Sequence, residues 1–231
     1  MDDIRNAVAA ARAAQPVWSA MPLDERALVL RRVAQELFQR AEELGTLLSR
    51  EEGKTRPEGI GEVRRAAMAV DYFAGEVHRV NGGHLQGLRG GFEVIITRDP
   101  VGVVAAITPW NFPIAVPAWK CAAALAYGNT VVLKPSEFTP ACAWELVDIY
   151  ARAGVPPGAI NLVGGDGREL GPELVAGVDA ISFTGAEPTG RVINAQAAPL
   201  LKKVQLELGG KNPLIIDKDA DLDLAVQAAL D

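Results

Sequence analysis

Glu207 is an acid inside an otherwise apolar run that ends in paired glycines, Leu206-Glu207-Leu208-Gly209-Gly210-Lys211. Such a carboxylate is either a satisfied buried group or a general base whose pKa burial has raised. Upstream, Thr108-Pro109-Trp110-Asn111-Phe112-Pro113 sets an indole and a primary amide in a loop stiffened by two prolines. The Asn111 amide can donate to a developing oxyanion, or it can close an Asx-turn ahead of Pro113. Lys134-Pro135-Ser136-Glu137 directly follows a β-branched apolar stretch, so its side chains emerge at a strand's C-terminal end. Its carboxylate can accept two hydrogen bonds from a ribose diol, and its ammonium can bridge hydroxyl and phosphate oxygens. Glu137 beside an adenine ribose favours NAD, because a 2′-phosphate meets like charge there. Taken alone, these four residues read first as a turn with a solvated ion pair.

Glycines supply the rest of the chemistry. Phe183-Thr184-Gly185-Ala186-Glu187-Pro188-Thr189-Gly190 reads as a strand end followed by two glycines as a helix opens, and Gly164-Gly165-Asp166-Gly167 stands in the same kind of place. Glycine lets backbone approach a pyrophosphate, and a helix N-terminus offers free N–H groups and a positive dipole end. Each such turn is also plain strand-to-helix geometry. Several at one sheet edge make a ligand crevice.

The elements that must position these groups are legible from periodicity. Residues 101–107, 130–133, 159–163, 178–183 and 203–206 read as short apolar strands, with 214–216 a weaker sixth. Helical patterns fill 114–126, 139–153, 168–176 and 188–195, and another begins at 222. This alternation predicts a doubly wound, mainly parallel α/β sheet of Rossmann type, whose ligands bind outside the C-terminal strand ends. The expected division is N-terminal helices over 1–80 packing on the cofactor domain, a connection and arm strand over 81–99, and a dinucleotide-binding domain over 100–231. Within the helical third, Leu30, Val33, Leu37, Ala41, Leu44 and Leu48 form one apolar stripe that predicts a single long helix starting near Pro22 and stopping at Gly53. A second helix is expected over 57–80, and Phe92 to Arg98 reads as an arm or edge strand.

Composition narrows the function classes. At 231 residues, 49% hydrophobic and 23% charged, the chain can bury a substantial core. With 23 basic against 29 acidic residues, net −6, it has no basic field for a nucleic acid to follow. No apolar run reaches the roughly 20 residues that cross a bilayer, and the charged N-terminus lacks an apolar leader core. These readings predict a cytoplasmic protein with neither nucleic acid nor membrane as partner. Cys121 and Cys142 sit in apolar helical patterns as core thiols, His78 and His84 are isolated, Trp18, Trp119 and Trp144 fit helix faces as core aromatics, and no metal-ligand spacing occurs.

In this order, PWNFP, KPSE, FTGxxxxG and ELGGK resemble the aldehyde dehydrogenase superfamily, specifically its NAD(P)-dependent, non-acylating branch, over essentially the whole chain. The resemblance implies that Asn111 is the oxyanion-hole amide and Glu207 the general base that activates the hydrolytic water. It implies that Lys134 and Glu137 hold the adenine ribose, that Thr108, Pro109 and Trp110 line the dinucleotide cleft, and that Gly167, Gly185 and Gly190 lie by the adenine and phosphates. The implied chemistry is oxidation of a small-molecule aldehyde to a carboxylic acid with NAD, or NADP, through a cysteine thiohemiacetal and thioester. Where many members carry Ser after Thr-Gly, this chain has Ala186. The family's nucleophilic cysteine lies downstream of ELGGK, and neither Cys121 nor Cys142 matches its motif, so the chain alone is expected to be inactive and to be the N-terminal half of a homo-oligomeric enzyme. The rival expectation is a non-catalytic dinucleotide-binding or assembly module.

Overall fold

The β-branched and small residues between Pro100 and Glu207 place five strands side by side. The computed structural model describes residues 2–230. Helix α1 (Asp2–Ala20) is followed by α2 (Leu23–Gln39), α3 (Ala41–Glu52) and α4 (Arg56–Glu76). A hairpin of β1 (Gly83–Gln86) and β2 (Glu93–Ile96) comes next. The sheet then alternates β3 (Val103–Ile107), α5 (Ala115–Ala126), β4 (Thr130–Lys134), α6 (Pro140–Ala153), β5 (Ile160–Leu162), α7 (Gly167–Gly177), β6 (Ala180–Thr184), α8 (Glu187–Ala197) and β7 (Lys203–Glu207), with α9 (Leu222–Leu230) last.

All pairings in the five-stranded sheet are parallel, in the order β5-β4-β3-β6-β7. Chain order reverses direction between β3 and β6, which makes that boundary the topological switch point where α/β sheets open a crevice. Strands β3 and β4 are buried almost throughout, as apolar runs covered on both faces should be. β7 alternates half-buried and exposed residues at the sheet's edge. The core has two parts. One joins α2, α3, α4, α5 and α6 on one face of the sheet; the other joins Ile4, Val8 and Ala11 of α1 to α7, α8 and the opposite face.

Helix α1 lies across the N-terminal edge of the sheet. Thr130 Oγ1 at the start of β4 donates to the Ala11 carbonyl at 3.0 Å, and Trp18, fully buried, donates its indole N–H to the Leu125 carbonyl at 2.9 Å. Arg12 reaches Asp179 at the start of β6 with two bonds of 3.0 Å, and the same carboxylate accepts from the Val103 N–H at 2.8 Å. Gly102, in the left-handed region at φ +119°, lets this happen, since a Cβ there would stand 2.3 Å from Asp179 Oδ2.

Several expectations are corrected. The single long helix is two, because at Arg40 the backbone leaves helical geometry (φ −94°, ψ 14°). Its guanidinium is drawn to Glu43 and to Glu145 of α6, and the apolar stripe continues on the second helix, α3. Residues 83–86, expected as connection, pair with β2 as the first half of a hairpin. Leu214–Ile216 form no strand and are exposed. Trp144 is 57% exposed, off the stripe of Cys142, Leu146 and Ile149 that α6 buries, while Trp18 and both cysteines are core residues as expected. Gly53 ends α3 in the left-handed conformation, which favours glycine.

Partial burial pushes the Asp179 carboxyl up, but bonds from Arg12 and the Val103 N–H, with the charges of Arg12 and Lys202, bring it below the usual range. Its stabilisation is therefore present above the unfolded value of about 3.9 and lost as pH falls through the lower folded value. Asp179→Asn is expected to cost about 1–3 kcal/mol at neutral pH in urea unfolding. The difference from the parent chain should close at more acidic pH; a constant difference across that range would contradict the assignment.

Candidate functional site

The C-terminal ends of β3, β4 and β6, with the starts of α7 and α8, enclose a cleft of about 580 Å³. This is within the range of small-molecule and cofactor sites. Thr108, Pro109 and Trp110 come from the loop after β3, Lys134 and Glu137 from the end of β4, Gly167 from the first turn of α7, and Gly185 from the turn into α8. Seven of the eight expected cofactor-binding positions thus share one cavity. The eighth, Gly190, is buried and does not line it; a Cβ there would stand 2.7 Å from Leu208 Cδ2, so its smallness serves packing.

Lys134 is almost fully buried, yet its Nζ lies 3.4 Å from the half-exposed Glu137 carboxylate. The pair is therefore not the solvated one that the bare four-residue segment allows. Gly167 brings the start of α7 onto this ammonium, its Cβ position being 3.5 Å from Lys134 Nζ. Asp166 caps α7 by accepting from the Arg168 N–H at 2.8 Å. The Thr108 hydroxyl, buried in the cleft wall, has no protein hydrogen-bond partner among the described residues. A polar ligand with a helix N-terminus, a glycine turn, a buried ammonium and an exposed carboxylate around it fits this donor set.

Glu207, at the end of β7, lines a neighbouring groove of about 860 Å³ bounded by α4, α5 and β7. It is half-exposed, which corrects both sequence readings of it as a buried acid. Partial burial still pushes its carboxyl up, but a 2.6 Å bond from Gln205, the charge of Lys120 and a 3.1 Å bond from Thr184 together hold it below the usual carboxylate range. It is an ionised acceptor at neutral pH. Lys120 was not anticipated: its buried ammonium donates to Ser182 Oγ at 2.8 Å and stands 3.7 Å from Glu207. A lone lysine within an apolar helix, Trp119-Lys120-Cys121, was the available signal.

Asn111 lines neither cavity and is exposed, and its side-chain amide has no hydrogen-bond partner among the described residues; the Asx-turn cannot form, because the residue two positions on is Pro113, which has no N–H to close it. Its backbone is held instead. Lys54 Nζ donates to the Asn111 carbonyl at 2.8 Å, lies 4.2 Å from the Phe112 ring centroid and donates to Glu62 at 2.6 Å. The other Glu62 oxygen accepts from the N–H groups of Ile114 and Ala115 at 3.0 Å each. Glu62 occupies the buried stripe of α4 beside Val63 and Ala66, where a charged residue already signals a specific partner.

The described residues contain no cluster of His, Cys, Asp and Glu able to hold a metal ion, and none of their helices is long and apolar enough to cross a membrane. His78 and His84 are exposed and approach Asp24 and Glu93 at 3.6 and 3.2 Å.

The profile of the aldehyde dehydrogenase family matches residues 1–231. The chain is 42% identical to the alpha-ketoglutaric semialdehyde dehydrogenase of Bacillus subtilis over 99% of its own length and 47% of the relative's. It is 42% identical to the NADP(+) succinate-semialdehyde dehydrogenase GabD of Escherichia coli, over 99% of this chain and 48% of the other. A betaine aldehyde dehydrogenase from Staphylococcus aureus, solved in complex with NAD+, superposes with a TM-score of 0.95 at 38% identity, over 99% of this chain and 47% of that one. The chain spans about half the length of the curated relatives it matches.

Replacing Glu62 with Ala leaves two helix N–H groups without an acceptor and the Lys54 ammonium without its buried carboxylate, and is expected to cost about 3–5 kcal/mol in denaturant unfolding. The amides of Ile114 and Ala115 should exchange with solvent faster in the variant. Unchanged exchange there would show that Glu62 does not hold this loop.

Proposed function

The chain belongs to the aldehyde dehydrogenase family, and from that premise we propose that it carries the dinucleotide cleft and two acting groups of an NAD(P)-dependent, non-acylating aldehyde oxidation. The observation that carries this reading is the convergence of Trp110, Lys134, Glu137, Gly167 and Gly185 on one cleft at the switch point of the sheet. Glu137 would accept from the ribose hydroxyls, and Lys134, desolvated beneath it, would donate to the same oxygens. The N–H groups at the starts of α7 and α8 would hold the phosphates, with Ala186 leaving the backbone to do so without a side-chain hydroxyl. When bound, the nicotinamide supplies the hydride acceptor for the oxidation.

Asn111 contributes a side-chain N–H to the aldehyde oxygen as negative charge develops on it. Its free amide and its clamped carbonyl support that role. Glu207, ionised and half-exposed, accepts a proton from the water that releases the acid. Gln205 and Thr184 fix the orientation of that carboxylate, and together with the charge of Lys120 they keep it anionic.

The step that attaches the aldehyde to sulfur needs an accessible thiolate. Cys121 is fully buried, and burial raises its thiol to about 12 despite the nearby charge of Lys120. Burial also raises Cys142, with the Glu51 carboxylate adding to the effect. Neither can serve as nucleophile, so residues 1–231 alone are expected to form no NADH from aldehydes. NAD should nonetheless quench Trp110 fluorescence saturably, and Lys134→Ala should weaken that binding by roughly tenfold, the scale of one charge-assisted hydrogen bond. Aldehyde-dependent NADH formation surviving alkylation of both thiols would overturn the first statement, and absence of any NAD binding the second.

A second reading, a dinucleotide-binding or assembly module that works with another chain, is favoured by the exposed apolar surface. α9 buries none of its residues among those described, and Leu85, Phe92, Ile95, Leu214 and Ile215 are all exposed. Apolar residues left exposed in such number on the hairpin and the segment after β7 offer surface for a partner chain to cover. Sedimentation of the chain is expected to show oligomers; a monodisperse monomer would count against association.

A further inference from the structure

At the Lys134 end of the cleft, four charged side chains share the wall: Lys134 and Glu137 from the end of β4, and Asp166 and Arg168 from the start of α7. They are already paired. Lys134 Nζ lies 3.4 Å from Glu137, and Arg168 donates through Nη2 to Asp166 Oδ2 at 2.8 Å and through Nε to both carboxylate oxygens at 3.2 Å. The Arg168 side chain is 91% exposed, so packing does not hold it in place; among the described residues its hydrogen bonds go to Asp166.

The two nicotinamide cofactors differ at one ribose oxygen, which is a hydroxyl in NAD and carries a phosphate of roughly −1.5 to −2 charge in NADP. A neutral hydroxyl is satisfied by Glu137 and Lys134 as they stand. A phosphate needs a cation free to meet it, and the guanidinium fork is the group best shaped for that. Arg168 is the cation positioned to do so, and its fork is occupied. The hydrogen bonds from the Arg168 side chain and backbone N–H depress the Asp166 carboxyl to about 2, so protonation does not release the arginine near neutral pH.

We propose that Asp166 is a second NAD-selecting residue beside Glu137, acting by keeping the Arg168 guanidinium engaged and unavailable to a 2′-phosphate. The assignment rests on the reading of this cleft as the dinucleotide site. Asp166 works through Arg168 and is a specificity-determining, not a catalytic, residue.

Calorimetric titration of the 231-residue chain with NAD and with NADP tests it. Asp166→Asn removes the charge but keeps an N-cap acceptor for α7. The ratio of NADP to NAD affinity is expected to rise roughly three- to tenfold, the scale of one charge-assisted phosphate contact released from a surface ion pair. Adding Arg168→Met to that variant should abolish the rise. Should Asp166→Asn melt early by circular dichroism, Asp166→Ser offers the same cap without charge and carries the same expectation. NAD binding with an unchanged affinity ratio, or a gain that persists without Arg168, overturns the role of Asp166 and leaves the cleft intact. Failure of the parent chain to bind either dinucleotide overturns the reading of the cleft, and this assignment with it.

Discussion

A carboxylate withdrawn from water is stable only when its lone pairs are met, and Glu62, with 1% of its side chain exposed, is the point on which the site depends. One oxygen caps the start of α5, and the other binds Lys54, whose ammonium in turn holds the Asn111 carbonyl. The helical N-terminal third is thereby tied to the loop that leaves the sheet after β3. The orientation of that loop is set from α3 and α4, not from the sheet alone. A solvated pair at the same positions would contribute little, because exposed ion pairs are weak. Burial is what turns this one into a constraint.

The same contrast orders the rest of the charges. Lys134, at the end of β4, and Lys120, in the middle of α5, are both buried ammoniums, and each faces a half-exposed carboxylate, Glu137 in the cleft and Glu207 in the groove. A buried cation with an exposed anion leaves the anion free to take a second partner while remaining ionised. That suits the roles proposed for Glu137, binding a diol, and for Glu207, accepting a proton from water. Burial lowers the Lys120 ammonium pKa and Glu207 opposes that shift, so the two charges sustain one another. By contrast, the part-exposed Arg12–Asp179 pair at the opposite edge of the sheet has the β3 backbone as third partner and serves the fold.

Much of this was legible in the residues. The strand and helix rhythm from Pro100 onward read correctly because apolar runs of five or so residues, bounded by Pro and Gly, have few other uses. Boundaries there moved by at most two residues. The errors have physical causes. The break at Arg40 is invisible to periodicity, since the stripe runs unbroken from Leu37 through Ala41, and the charges that draw the arginine aside come partly from α6, about a hundred positions away. Leu214–Ile216 has strand composition but no partner strand among the described residues, and composition without a partner makes no ladder.

By itself the sequence determined the family, the order of strands and helices, and which loops leave the C-terminal edge of the sheet. Those depend on local periodicity and on turn residues that act within a few positions. Only the tertiary structure decided which charges meet. Glu62 reaches the N–H of a residue 52 positions on, and Lys120 reaches Ser182 at a separation of 62. It also decided that Glu207 stands half in water, with a lowered pKa in place of a raised one. Protonation and partner choice follow from distance and dielectric between elements far apart in the chain, and no local pattern encodes either.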